Sequence, residues 1–108
     1  MTTKFSTLPA RVTVTGRLIA DPELRHTRAG VPVTRLQLAT HGTDETIVLG
    51  VIASHSLAEF AAQQVAEGHR IRVDGSLRGH RWIDADSHGC YDVDIIATGV
   101  EILSARAA

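Results

Sequence analysis

Residues 12–40, VTVTGRLIADPELRHTRAGVPVTRLQLAT, restrict what this chain can fold into more than any other stretch. Val12 and Val14 alternate with Thr13, Thr15 and Arg17, and Leu36 and Leu38 alternate with Arg35 and Gln37. Side chains that change face at every residue belong to a half-buried strand. Between the two runs, Ala20-Asp21-Pro22 makes a turn, a short extended return follows, and Gly30 marks a second turn. The segment therefore doubles back as antiparallel sheet, one face apolar and the other dotted with arginine at 17, 25, 28 and 35. Basic side chains on a curved antiparallel sheet are suited to tracking a phosphate backbone.

The remaining elements follow from the same periodicities. Thr46–Ala53 is nearly continuous apolar sequence, as a central strand is. Ser54 or Ser56 then caps a helix, with Glu59 placed for a capping box with Ser56. Leu57, Phe60, Ala61 and Val65 form its apolar stripe, which assigns Phe60 to the core, and Gly68 ends it. Residues 70–83 form the longest strand. Ile71, Val73 and Leu77 share one face with Gly75 and Gly79, and Arg70, Arg72, Asp74, Ser76, Arg78, His80 and Trp82 share the other. Each of the two glycines marks a place for a bulge or bend. Residues 84–90 read as a turn, and Tyr91, Val93 and Ile95 alternate with Asp92 and Asp94 in a final strand. The order β-β-β-α-β-β is that of the OB-fold: all-β with one inserted helix, a five-stranded Greek-key barrel that commonly binds oligonucleotides across one sheet face. A single domain over 1–108 is expected, with 1–9 and 104–108 as flexible ends.

Composition narrows the function class. At 108 residues, 44% hydrophobic and 21% charged, the chain buries its own core without staples. Cys90 is the only cysteine, the N-terminus MTTKFSTLPARV has no apolar core, and the longest apolar run, Ile47–Ala53, is far too short to span a bilayer. A cytoplasmic protein without a membrane partner is expected. The net charge of −1 hides a segregated pattern: residues 1–40 carry six Lys/Arg against two acids, and residues 69–83 carry four Arg against Asp74. Residues 41–68 and 84–108 hold nine acids against Arg106 alone. Ten of the eleven bases are Arg, which stacks on bases as well as pairing with phosphate. His80, His88 and Cys90 fall close together in a hairpin, yet no CxxC or helical HxxxH pattern supports a metal site. Asp86-Ser87-His88 holds triad residue types whose adjacency in a turn builds no relay, no glycine-rich phosphate loop opens the helix, and Cys90 has no base. A non-enzyme without metal or cofactor is expected.

Two blocks of motifs resemble a known family. The first is Gly16, Asp21-Pro22-Glu23-Leu24-Arg25, Gly30 and Leu38-Ala39-Thr40; the second runs from Gly68 through Gly75 to Leu77-Arg78-Gly79-His80-Arg81-Trp82. In this order, over about Arg11 to Leu103, they resemble the bacterial single-stranded DNA-binding proteins. The resemblance implies sequence-independent binding of single-stranded DNA in replication, recombination or repair, by a homodimer or homotetramer. It implies Arg78 and Arg81 as a basic cluster, Trp82 as a base-stacking aromatic, and Arg11, Arg17 and Arg25 against phosphates. Alternation adds Arg35, Arg72 and His80 on the polar faces. The chain departs from the family in its 4% aromatic content and in having Ile47 or Val48 where an aromatic often opens the third strand. The loop after Thr40 is shortened to His41–Glu45, and the sequence stops at Ala108 without the linker and acidic tail of the family, so it is expected to be tail-less. Because each stacking contact contributes roughly 1–3 kcal/mol, binding is expected to be weaker, more electrostatic and more salt-sensitive than the family norm. Two other readings fit the same residues. One is a restart factor similar to primosomal replication protein N, acting with replication-restart proteins. The other is an OB-type protein-interaction module that docks a partner through its acidic helix and final strand.

Overall fold

The computed structural model describes residues 3–104. Six strands and one helix follow one another: β1 (Thr3–Leu18), β2 (Glu23–His26), β3 (Pro32–His41), β4 (Thr46–Ser54), α1 (His55–Gln64), β5 (Arg70–Ile83) and β6 (Gly89–Ser104). Strand pairing runs β1–β5–β6–β4–β3 and returns to β1 through Arg17↔Ala39 and Leu18↔Leu38. Five strands thus form a ring, antiparallel throughout except for the parallel pair β4–β6 at Val51↔Ile95 and Ile52↔Ile96. This is the expected Greek-key arrangement with its helix between the third and fourth strands of the ring. The extended return is β2, which pairs with the first half of β3 from Glu23↔Arg35 to His26↔Pro32.

The inward positions of the ring fill a single core. Leu18, Leu36, Leu38, Val51, Ile71, Val73 and Ile95 meet inside it, and Ala61 and Val65 cover one end. Burial of aliphatic side chains of this size contributes roughly 1.5–3 kcal/mol each. Among the described residues no helix is long and apolar enough to cross a membrane.

Four local readings are corrected. The helix begins at His55, one residue too early for Ser56 to cap it; Ser54 occupies the cap without a side-chain hydrogen bond, and the Ser56–Glu59 box does not form. The helix presents Ala58 and Ala61 to the sheet, and this rotation leaves Phe60 39% exposed at its flank, not in the core. Val65, whose N–H donates to the Ala61 carbonyl, ends the helix; Gly68 (φ +90°) shapes the following turn, where its N–H donates to the Leu18 carbonyl. Finally, the two glycines divide: the bulge expected at Gly75 lies beside it, with the extra residue on β6, whereas no irregularity falls at Gly79, and β5 itself runs unbroken through both. Against β1 the register shifts between Thr7 and Arg11, and against β6 Asp74 faces Gly99 while Gly75 faces Ala97, leaving Thr98 as an extra residue.

The terminal expectations divide. Thr3–Pro9, read as part of a flexible end, is strand, and Thr3–Thr7 pair with Arg78–Trp82. Ser104 closes β6, while residues 1–2 and 105–108 lie outside the described residues.

Candidate nucleic-acid interface

Because β5 is unbroken, its even-numbered residues keep to one face along its whole length, and the register sets their neighbours. Arg78 lies opposite Asp94 of β6, His80 opposite Phe5 of β1 and Asp92 of β6, and Ser76 opposite Arg11 and Ile96. Beyond β6, the outer positions of β4 are Val48, Gly50 and Ile52, paired with Ala39, Gln37 and Arg35 of β3. One outer face therefore crosses β3, β4, β6, β5 and β1.

At its centre stands a carboxylate between two guanidinium groups. The Asp94 side chain is only 9% exposed; it lies 3.6 Å from Arg35 Nη1 and accepts a hydrogen bond from Arg78 Nη2 at 3.2 Å. Gly50 supplies the room: a Cβ there would fall 2.5 Å from Arg35 Nη2 and 3.0 Å from Asp94 Oδ1. Arg78 Nε is buried with no hydrogen-bond partner among the described residues.

Next to this trio, cation and rings form a column. The Arg78 guanidinium sits 4.5 Å from the centre of the Phe5 ring, Phe5 stacks on His80 at 4.6 Å and 10°, and His80 stacks on Trp82 at 4.7 Å and 28°. Such spacings are those of favourable stacked and cation–π pairs. Trp82 is half-buried on the sheet face and takes no part in the core cluster. His80 also faces the Asp92 carboxylate at 3.3 Å. Phe5 is 52% exposed, and Val48, on β4, is 55% exposed.

The other sequence candidates scatter. Arg11 is exposed on the same face of β1. Arg25 lines a cleft of about 450 Å³ with Arg35, Gln37 and Asp21, and is paired with Glu23 at 3.2 Å. Arg17 of β1 and Arg72 of β5 sit at the far end of that strand pair: Arg17 donates to the Gly68 carbonyl at 2.8 Å, and Arg72 is ion-paired with Glu101. Arg81 points to the reverse side of β5 from His80 and Trp82, so the motif Arg78-Gly79-His80-Arg81-Trp82 is split between two faces. Sequence reasoning missed Phe5, Gly50 and Asp94. Phe5 stands before Pro9 in a segment too short and irregular to show a period, and a buried counter-charge has no sequence signature of its own.

The hairpin beyond Trp82 holds the remaining polar groups. Asp84 Oδ1 accepts N–H bonds from Asp86 and His88, which shapes the turn, and the Asp84, Asp86 and His88 ligand atoms lie within 4.8 Å of one another. Desolvation, reinforced by the Asp84 carboxylate, pushes the Cys90 thiol above its ordinary pKa, away from the thiolate that nucleophilic chemistry requires.

A small Greek-key β-barrel with an arginine- and ring-bearing outer face belongs to the oligonucleotide-binding class of folds. Residues 9–103 match the model of the single-strand binding protein family, and the chain belongs to that family. It is 29% identical over 105 residues to a single-stranded DNA-binding protein of Xanthomonas campestris, covering 89% of this chain and 61% of that one. It is 30% identical over 103 residues to single-stranded DNA-binding protein 2 of Listeria innocua, covering 89% and 65%, and 27% identical over 107 residues to the Thermotoga maritima protein, covering 91% and 76%. The chain thus spans about three-fifths of the length of the Xanthomonas relative.

Proposed function

We propose that the chain binds single-stranded DNA without marked sequence preference, along the outer face from Arg25 and Arg35 through Arg78 to the Phe5–His80–Trp82 column. The observation that carries this reading is the column itself: rings stacked face to face along an open strand face, beside arginines, with one end of the series at Trp82. A base has a π-face whatever its identity, so it extends such a stack without being read. The exposed positions of α1, His55, Ser56, Glu59, Phe60, Gln63 and Gln64, include no lysine or arginine to hold it against the phosphates flanking a major groove. The chain is a binding protein, as its family is, and catalysis is not part of the proposal.

The charge pattern sets the expected strength. Arg25, Arg35, Arg72 and Arg78 all have acidic partners, so the face offers far less free positive charge than the arginine count suggests. With Arg11 and one uncompensated guanidinium of the Arg35–Asp94–Arg78 trio, about two phosphates are neutralised. The log–log salt slope should then be about −1.4, at about −0.7 per phosphate. A gel-shift series with oligo-dT and a duplex of matched length, at several salt concentrations, tests this. Tighter binding of oligo-dT with a shallow negative slope is expected; equal affinity for the duplex would refute the reading.

We further propose a homo-oligomer. β3 takes the second edge of β1 only at Arg17 and Leu18, and an open edge of this kind pairs readily with another copy. A role in replication, recombination or repair follows from single-strand binding and belongs to the same proposal, as does any action with replication-restart proteins.

A further inference from the structure

We propose that Asp94 is a built-in counter-charge that limits how strongly this face holds a phosphate backbone, its carboxylate occupying the place between Arg35 and Arg78 that a strand phosphate would take. The inference rests on the single-strand reading above. Carboxylate and phosphate offer a guanidinium the same acceptor geometry, so what holds Arg35 and Arg78 from within also competes with what they bind from without. Asp94 is nine-tenths buried, with one oxygen toward each arginine. A buried carboxylate is costly unless paired, which keeps Asp94 engaged and withholds one of the two positive charges. Gly50 belongs to the same device, because only a residue without Cβ leaves space for the Arg35 guanidinium beside Asp94. Arg78 is also aligned by this contact: it is held at Asp94 on one side and over the Phe5 ring on the other. Asp94 therefore acts on the bound strand through the two arginines, as a positioning residue.

The test is fluorescence anisotropy of labelled oligo-dT across a salt series, with melting curves to establish that each variant is folded. Asp94→Asn keeps the shape and removes the charge; binding should tighten at low salt and the log–log slope should steepen by about 0.7, one further phosphate. Gly50→Ala, whose Cβ pushes the flexible end of Arg35 off Asp94, should act in the same direction by a smaller step. Asp86→Asn, in the hairpin turn, alters the net charge equally and should leave the slope where it is. If Asp94→Asn does not fold, Gly50→Ala decides alone. Slopes unchanged or shallower in the folded variants, or an equal steepening in Asp86→Asn, overturn the role of Asp94 while the parent still binds oligo-dT. A parent that shows no preference for oligo-dT fails at the earlier step, the single-strand reading.

Discussion

Trp82 ends a column in which His80 lies between it and Phe5, and its position outside the core cluster separates its proposed binding role from any structural one. Trp82→Ala should therefore cost roughly 1–3 kcal/mol of oligo-dT affinity, with the melting temperature changed by no more than a few degrees. Phe5→Ala removes the ring between Arg78 and His80 and should weaken binding in the same way, since both neighbours lose the surface that holds them upright. Trp82 is the only tryptophan, so quenching of the parent's emission by oligo-dT reports on this column directly. Emission indifferent to DNA, together with a Trp82→Ala variant that melts far below the parent, would return Trp82 to a structural role.

β5 is the element on which the site depends, because an unbroken period of two keeps Arg78, His80 and Trp82 on one face. Its two glycines look alike in sequence and differ in cause. At Gly75 a Cβ would overlap the Ile96 carbonyl oxygen, where β6 comes close beside its extra residue, whereas at Gly79 the nearest atom is the Ser6 carbonyl oxygen at 3.8 Å. Gly75→Ala should destabilise by roughly 1–3 kcal/mol through forced backbone shifts. Gly79→Ala should be neutral or slightly stabilising, by up to about 1 kcal/mol, because it restricts the unfolded chain. Urea denaturation of the pair measures the contrast; equal effects would mean that the bulge in β6 gives way freely.

At the scale of the whole molecule, stability rests on ring closure. Leu38 is fully buried beside Leu36 and pairs with Leu18 where β3 meets β1. Leu38→Ala should cost roughly 2–5 kcal/mol, read as a lower denaturation midpoint. The whole-molecule charge pattern is equally a product of folding. Segments of opposite sign in sequence become neighbouring strands: Arg72 and Arg78 of β5 lie against Glu101 and Asp94 of β6. Arg25, Arg35, Arg72 and Arg78, four of the ten arginines, are thus engaged with acids inside the molecule.

The strand periods, the helix between the third and fourth strands of the ring, and the shared face of Arg78, His80 and Trp82 were all legible in the amino-acid order. Each of these is local: side-chain direction in a strand alternates whatever the neighbours do. The family motifs from Gly16 to Thr40 and from Gly68 to Trp82 were legible for the same reason, being contiguous. That Phe5 joins the column, that Phe60 leaves the core, and that Arg35 and Arg78 share Asp94 over Gly50 came only with folding. Those facts depend on register between strands far apart in the chain. A register is chosen by the packing of the whole core and by bulges such as the one at Thr98, which no local pattern announces.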